Sequence, residues 1–315
     1  MIVAGSSSGT PDASIVIATR DRASRLSDCL RSIGEQEYPR GLLEVVVVDD
    51  GSKDNTPRVV GSAARQLAPL AVRYVRLPGR GQNAARNAGL HEATGDLIAF
   101  LDDDEIPTTR WIRALVRASR RNPDAGCFGG AIRMRVEGPI PRSCGRCFIV
   151  DVDRDMGPEE RSVEEVGGGN MALRRSAVAQ AGPFDTRLRG WGNETEWMFR
   201  FTRMGGRIVY VPDAAVEHRT SASQVRIWRL VSRSFLRGWQ GVHADTVSGW
   251  DTPVGPGAPF GWQLARIPRL IGHAVLRRCP GGLITAAWFA GGALGALASH
   301  ADTSRTKGCR DRSRP

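Results

Sequence analysis

Apolar and polar positions alternate between two periods over the first hundred residues of the chain. Short apolar runs rich in β-branched residues predict buried strands, and stretches with an apolar residue every three or four positions predict helices. The predicted strands are 14–18, 44–49, 72–77 and 96–101, and the predicted helices are 22–34, 55–67 and 83–93. Strands that alternate with helices in this way predict an α/β fold with a mostly parallel sheet and flanking helices.

Acidic residues follow two of the predicted strands directly. Asp49-Asp50 comes at the end of the second strand, and Asp102-Asp103-Asp104-Glu105 comes at the end of the fourth. Ligands of such sheets bind outside the carboxyl ends of the strands, so both clusters can face one crevice. Hard divalent cations prefer carboxylate oxygens, and a bound diphosphate can supply the remaining ligands. The D-x-D formed by Asp102 and Asp104 is therefore a candidate metal site, although acidic loops are usually only solvated.

The pattern remains mixed up to about residue 220. Helices are predicted over 111–119 and 191–204, strands over 126–136 and 208–211, and the last strand is expected to end at Pro212-Asp213. Segment 138–163 is rich in proline, glycine and charged residues, and we predict a mobile loop there that covers the site.

From Ser221 onward the pattern becomes helical, with a break rich in proline and glycine at 249–261. The candidate core positions are Val225, Trp228, Leu230, Val231, Phe235 and Trp239. Segment 283–298 is apolar but short and rich in glycine and alanine, which favours a packed helix, with association at a membrane surface as the alternative.

Composition adds a net charge of +11 that comes almost entirely from arginine. Such a charge is compatible with phosphate-bearing ligands, an anionic membrane surface or nucleic acid. The arginines are scattered without a dense basic run between aromatic residues, so we expect no nucleic-acid surface. The first eleven residues have no basic segment followed by a long apolar one, which favours a cytoplasmic protein.

Six cysteines are spread along the chain, and only Cys144 and Cys147 form a C-x-x-C pair. A zinc site would need two further ligands at a matching spacing, and none lies near this pair in the sequence. We therefore expect structural or incidental cysteines.

Four segments together resemble family-2 glycosyltransferases of the GT-A fold. They are Ile15-Val-Ile-Ala-Thr-Arg-Asp-Arg22, Val47-Val-Asp-Asp-Gly-Ser-Lys-Asp-Asn-Thr56, Ala84-Ala-Arg-Asn-Ala-Gly-Leu90 and Phe100-Leu-Asp-Asp-Asp-Glu105. The similarity covers residues 13 to 220, with the motifs in the order and spacing of the family. It implies a bacterial, inverting enzyme that moves a sugar from a nucleotide-diphosphate sugar, foremost a UDP-sugar, to an acceptor hydroxyl with Mn²⁺ or Mg²⁺.

The resemblance also implies roles for individual residues. On the donor side these are base contacts by Thr19 and Asp50, donor contacts by Arg22 and Arg86, a ribose contact by Asp103, and a metal site of Asp102, Asp104 and His218. His218 is included because Val216-Glu-His218 matches a V-x-H motif of many relatives. The alternatives are a turn hydroxyl for Thr19, a helix cap for Asp50 and a structural histidine.

On the acceptor side, Gly168-Gly-Asn-Met171 resembles the glycine-rich segment that lines the sugar pocket. Segment 191–196 occupies the place of the Glu-Asp motif that supplies the catalytic base of inverting members. This chain departs from that motif, because Asn193 and Glu194 stand where Glu and Asp are usual. Glu194 is the expected base and Glu196 the second choice, with a surface or capping carboxylate as the alternative for Glu196.

The resulting division of the chain is a disordered lead-in at 1–12, a GT-A domain at 13–220 and a helical extension with a disordered tail at 221–315. The GT-A domain comprises a nucleotide-binding half, 13–105, and an acceptor half, 106–220. We expect a glycan, a lipid-linked or a small-molecule acceptor, and peripheral membrane contact of the C-terminal region would place the enzyme at the inner face of the membrane.

Two other functions are compatible with parts of the sequence. A sugar nucleotidylyltransferase would have a glycine-rich basic loop after the first strand, and Thr19-Arg-Asp-Arg22 lacks the glycines. A non-enzymatic basic scaffold for membranes or nucleic acid would leave the ordered acidic motifs unexplained.

Overall fold

The computed structural model describes residues 3–4, 10–141, 144, 154–188, 190, 192–248 and 260–310. Its strands are β1 Val3–Ala4, β2 Ala13–Thr19, β3 Leu43–Asp49, β4 Ala71–Arg76, β5 Leu97–Leu101, β6 Glu105–Pro107, β7 Cys127–Glu137, β8 Arg161–Val163, β9 Asn170–Arg174 and β10 Ile208–Ser221. Its helices are α1 Ala23–Gly34, α2 Thr56–Gln66, α3 Gln82–Glu92, α4 Trp111–Arg121, α5 Arg175–Ala181, α6 Asn193–Arg203, α7 Ile227–Ser248, α8 Phe260–Leu276 and α9 Pro280–Arg310.

The chain divides into two compact units. The first comprises Met1–Arg135, Val152–Thr186 and Trp197–Arg219, and the second comprises Val136–Asp151, Arg187–Glu196 and Thr220–Pro315. The boundary therefore falls inside α6, whose first turn belongs to the second unit.

The first unit is built on one sheet with the strand order β1-β4-β3-β2-β5-β9-β7-β10-β6, and β8 pairs with β10. Strands β4, β3, β2 and β5 are parallel, with Ile15 opposite both Val45 and Ala99. All seven residues of β3 are buried, because helices cover both faces of the parallel part. The pairings β5–β9, β9–β7 and β10–β6 are antiparallel, so the sheet is mixed. The predicted α/β fold is confirmed.

Two predictions in the middle of the chain need correction. Strand β10 continues through Pro212-Asp213 to Ser221, because its second half pairs with β6, a strand that the sequence pattern did not predict. Part of the predicted loop at 138–163 is strand β8, which pairs with Tyr210 and its neighbours. Residues 142–143 and 145–153 of that loop lie outside the described residues.

Within the predicted lead-in, Val3–Ala4 pairs antiparallel with Val72 and Arg73 of β4. Residues 1–2 and 5–9 lie outside the described part of the chain, as do Trp191, residues 249–259 of the predicted break and 311–315 of the predicted tail.

Helices α7, α8 and α9 make up most of the second unit, and α9 packs against both others. Val225 and Leu230 are buried as predicted. Two predicted core residues are on the surface instead, because 60% of Trp228 and 37% of Trp239 is exposed. The helical period was right, but several positions of α7 face solvent.

Glycines allow α7 and α9 to approach closely. A Cβ on Gly238 would lie 2.0 Å from the carbonyl oxygen of Trp288, and one on Gly291 would lie 1.9 Å from that of Phe235. Pro280–Ala298 is long and apolar enough to cross a membrane by length and composition, but half of it is buried within the protein. The glycines and alanines of this segment thus have a packing role, as the packed-helix prediction requires.

Gly291→Ala is therefore expected to destabilise the second unit, because the added methyl group forces the α7 and α9 backbones apart. Overpacking of this kind costs about 1–3 kcal/mol. The matched control is Gly272→Ala in α8, where a Cβ meets nothing within 4 Å. Higher helix propensity should leave that variant as stable as the parent or up to about 1 kcal/mol more stable. Urea unfolding followed by circular dichroism measures both, and equal stability of the two variants would contradict the close helix contact.

Candidate functional site

The carboxyl ends of parallel strands β2, β3 and β5 lie at one edge of the sheet in the first unit. Thr19 ends β2, and its hydroxyl donates a 2.7 Å hydrogen bond to Asp103 Oδ2 in the turn after β5. The Asp50 amide, just past β3, donates to the Thr19 carbonyl oxygen at 2.9 Å. The two acidic clusters therefore meet at this edge, as the strand pattern predicted.

The turn after β5 gathers four carboxyl groups. The Glu105 amide donates to the Asp102 carbonyl oxygen at 3.1 Å, which closes a β-turn and reverses the chain into β6. Asp103, Asp104 and Glu105 are buried, whereas the Asp102 side chain is 38% exposed. Buried carboxylates are costly unless cations or donors compensate them, so the turn needs positive charge nearby.

Burial and neighbouring charges shift the pKa values of these groups in different directions. Burial raises the pKa of Asp103 to about 6 despite the Arg22 guanidinium and the Thr19 hydroxyl. Burial also raises the pKa of Glu105, with the Asp102 charge adding to the effect. For Asp104 burial acts in the same direction, but His218 and Arg22 together hold its pKa below the usual range. Of these three carboxyl groups, Asp104 holds its negative charge most strongly.

His218 reaches this turn through the pairing of β10 with β6. The two strands run antiparallel with His218 opposite Glu105, and the Arg219 amide donates to the Asp104 carbonyl oxygen at 3.0 Å. The imidazole Nε2 lies 3.5 Å from Asp104 Oδ1. Burial lowers the pKa of His218, but the hydrogen bond and charge of Asp104 raise it more, to about 9.

Arg22 and Arg86 provide the fixed positive charges of the site. Arg22 Nη1 donates to Asp103 Oδ1 at 2.9 Å and to Asp104 Oδ2 at 2.8 Å, while its side chain stays 47% exposed. Arg86 is buried, with Nη2 3.8 Å from Asp102 Oδ1. Its guanidinium carbon lies 5.8 Å from the ring centre of Phe184, which fixes its orientation.

The donor set fits a hard divalent cation. Asp102 and Asp104 offer carboxylate oxygens, which both Mg²⁺ and Mn²⁺ bind. His218 offers an imidazole nitrogen, which suits a transition metal such as Mn²⁺. Gly169 leaves room beside them, since a Cβ there would lie 2.7 Å from Asp102 Oδ2 and 2.5 Å from Glu105 Oε1. The glycine-rich segment thus borders the carboxylates, as expected from its place in the sequence.

Asp50 has a different local role. Its two carboxylate oxygens accept hydrogen bonds from the amides of Arg80 at 2.6 Å and Gly81 at 2.8 Å. These amides immediately precede α3, so Asp50 fixes the start of the helix that carries Arg86. Asp50 therefore holds the turn that leads into α3, and a base contact by Asp50 stays a prediction.

Two functional positions were missed by sequence reasoning. Glu105 was quoted within the acidic run, but only its pairing with His218 reveals that it is buried in the site. Asn170 is fully buried, accepts a 2.7 Å hydrogen bond from Trp111 Nε1 and donates to Ala214 at 2.7 Å. It thereby anchors the end of the glycine-rich segment, and its position in that segment, directly after three glycines, was the available signal.

Glu194 and Glu196 lie in the first turn of α6. Glu194 is half-buried and Glu196 is buried. Asn193, directly before them, is fully buried, and its side-chain oxygen and nitrogen have no hydrogen-bond partner among the described residues. A buried amide of this kind is costly unless water or a ligand binds it. The start of α6 therefore has polar atoms available for a ligand.

The family model described as "Glycosyl transferase family 2" matches residues 14–180. Glycosyltransferase AglE of Haloferax volcanii is 27% identical over 245 residues, which cover 72% of this chain and 77% of that protein. Glucosyl-dolichyl phosphate glucuronosyltransferase of the same organism is 28% identical over 238 residues, covering 72% and 75%.

A solved structure gives an independent comparison of the fold. The mannosyltransferase PcManGT from Pyrobaculum calidifontis, in complex with GDP-Man and Mn²⁺, superposes with a TM-score of 0.58. The match covers 97% of this chain and 82% of that one at 22% sequence identity, so the likeness concerns the fold alone.

Proposed function

The chain belongs to glycosyl transferase family 2 and is a glycosyltransferase with a GT-A fold, and from this premise we propose its reaction. It transfers a sugar from a nucleotide-diphosphate sugar to an acceptor hydroxyl, with inversion at the anomeric carbon and with a divalent cation. The observation that carries this proposal is the group of Asp102, Asp104 and His218 beside Thr19 at the strand ends.

Each residue of this group has a definite task in the proposed reaction. Thr19 and Asp50 border the base and Asp103 the ribose, while Asp102, Asp104 and His218 would hold Mn²⁺ or Mg²⁺. A cation bound there supplies Lewis-acid stabilisation of the charge that builds up on the departing diphosphate.

The arginines complete the donor side. Arg22 now bonds to two carboxylates, and a guanidinium that is nearly half exposed can turn to the donor phosphates when a cation neutralises those carboxylates. Arg86, buried and held by Phe184, keeps Asp102 in place.

The acceptor side supplies the proton transfer. Glu194 accepts the proton of the acceptor hydroxyl as that oxygen attacks the anomeric carbon, which requires hydrogen-bond reach of about 3 Å in the reacting complex. Its half-buried position at the start of α6 supports this role, and Asn193 offers unpaired polar atoms next to it.

Relatives indicate the chemical class of the substrates. Solved structures of similar fold contain GDP-Man with Mn²⁺ or UDP-GlcNAc, which supports a nucleotide-sugar donor; a UDP-sugar stays our first choice. One relative is named for a dolichyl phosphate acceptor, which supports a lipid-linked glycan as acceptor.

A lipid-linked acceptor agrees with peripheral membrane contact by the second unit, at the inner face of a membrane. Exposed apolar residues on and near α8 support this contact, above all Val275 and Leu276, which lie beside the exposed Arg277 and Arg278. Co-sedimentation with vesicles that contain anionic lipid tests it.

Thermal unfolding with a panel of nucleoside diphosphates and nucleotide sugars tests the proposed donor. One uridine, thymidine or guanosine compound should stabilise the protein in the presence of Mn²⁺ and much less without it. At a ligand concentration of 100 times the dissociation constant, the gain is about 2.7 kcal/mol. Adenosine diphosphate serves as the matched control. Absence of any nucleotide-dependent stabilisation with Mn²⁺ would refute donor binding.

A further inference from the structure

Three side chains of the kinds that bind zinc meet in the second unit. The sulfur atoms of Cys144 and Cys279 and a ring nitrogen of His273 all lie within 4.8 Å of one another. Cys144 Sγ is 3.1 Å from His273 Nε2, and the Cys144 amide points to Cys279 Sγ at 3.5 Å. Neither partner lies near Cys144 in the sequence, because tertiary folding brings them from 129 and 135 residues away.

The spacing of these atoms suits a tetrahedral ion. Zinc binds cysteine sulfur at about 2.3 Å and histidine nitrogen at about 2.0–2.1 Å, which places neighbouring ligands about 3.5–3.8 Å apart. Cys144 Sγ and His273 Nε2, at 3.1 Å, are slightly closer than this, and the other ligand atoms lie within 4.8 Å of one another, so the three side chains can reach a common ion with small adjustments. Two thiolates and one imidazole favour zinc over the hard cations that oxygen ligands select.

The turn between α8 and α9 holds two of the ligands in place. His273 lies in the last turn of α8, and Cys279 directly precedes Pro280, the first residue of α9. The Cys279 amide donates to the Ala274 carbonyl oxygen at 3.0 Å, and the Gly282 amide donates to the Cys279 carbonyl oxygen at 3.1 Å. Arg278 adopts a left-handed φ of 48° to make this turn.

The position of Cys279 at the start of α9 favours the thiolate form that a metal ligand needs, whereas burial by itself disfavours a charged sulfur. Cys279 is 2% exposed, so the cluster extends from a buried thiol to the exposed Cys144. A thiol at the start of a helix is directed towards backbone amides that stabilise its anion. An inert surface thiol pair would have neither the buried member nor an imidazole in contact with it.

We propose that Cys144, His273 and Cys279 bind a zinc ion that fastens Cys144 to the α8–α9 turn. Binding releases the two thiol protons to solvent, and the imidazole binds in its neutral form. The fourth tetrahedral position takes a water molecule or a further ligand. Cys147 lies outside the described residues. The site is separate from the proposed donor site and does not depend on the proposed reaction.

Metal analysis of the full-length protein, purified under reducing conditions without chelators, tests the proposal. We expect about one zinc per chain, and its loss in Cys279→Ser and in His273→Ala. Cys127→Ala removes a thiol of β7 in the first unit and should retain the metal. The proposal is overturned if the parent protein holds no zinc after incubation with a zinc salt. It is also overturned if both cluster variants retain zinc.

Two further measurements cover misfolded variants and the competing disulfide. Cobalt(II) added to the metal-free parent protein should produce the intense thiolate-to-cobalt and ligand-field absorption bands of a tetrahedral site, and their absence counts against it. The competing disulfide is tested by mass spectrometry of protein that was purified under reducing conditions and alkylated. A peptide with Cys144 disulfide-linked to Cys279 would show that the two thiols form a disulfide and not a zinc site.

Discussion

Asp104→Ala is expected to abolish sugar transfer. Asp104 is the carboxylate in contact with both His218 and Arg22, and its pKa is held below the usual range, so it is the residue that carries charge for a cation. Without it the cation loses a ligand, and the charge on the leaving diphosphate is less well stabilised. Loss of one such electrostatic group commonly lowers the reaction rate about 10²–10³-fold or more. Transfer should be measured with saturating Mn²⁺ and donor, and Mn²⁺ binding by calorimetry.

Two variants make the Asp104 result specific. Asp104→Asn keeps the volume and some hydrogen bonding of the side chain but removes the charge, so it should lose transfer while circular dichroism remains that of the parent protein. Glu217→Gln neutralises an exposed carboxylate next to His218, paired with Arg135, and should leave transfer unchanged. Full turnover by Asp104→Ala would exclude the proposed metal site.

Glu194→Gln is expected to impair catalysis far more than donor binding. Glutamine keeps the shape of the side chain but cannot accept the acceptor proton, and a general base commonly contributes about 10²–10⁴-fold. The fall should appear in kcat, with the KM for the donor nearly unchanged, because the interaction is made only as the acceptor oxygen attacks.

Glu196→Gln is the matched control, because Glu196 lies two residues further along α6 and is more deeply buried. It should lower activity much less than Glu194→Gln if Glu194 is the base. A large kcat loss confined to Glu196→Gln would transfer the role to Glu196. Full turnover by both variants would remove the first turn of α6 from proton transfer.

The strand and helix pattern of the first hundred residues was predictable because each element is specified locally. In β3 the run Val45 to Val48 has no polar position, which only a strand covered on both faces accommodates. The hydrophobic face of α1, with Leu26, Leu30 and Ile33 buried, follows a helical period in the same direct way.

Strand β6 and the second half of β10 escaped prediction for a physical reason. Three residues, Glu105 to Pro107, carry no periodic signal, and Pro212 inside β10 is typical of a strand end. Both segments are strands because they pair with each other, and this pairing depends on contacts between residues far apart in the sequence.

By itself, the sequence determined the order of the elements, the acidic turn at the end of β5 and the family motifs, because short-range periodicity and turn chemistry are local. Only the tertiary structure decided that Glu105 is buried against His218 and that Trp228 is on the surface. It alone placed His273 and Cys279 beside Cys144. These placements follow from strand pairing and helix packing over long sequence separations, where the free energy of burial, rather than local propensity, selects the neighbours.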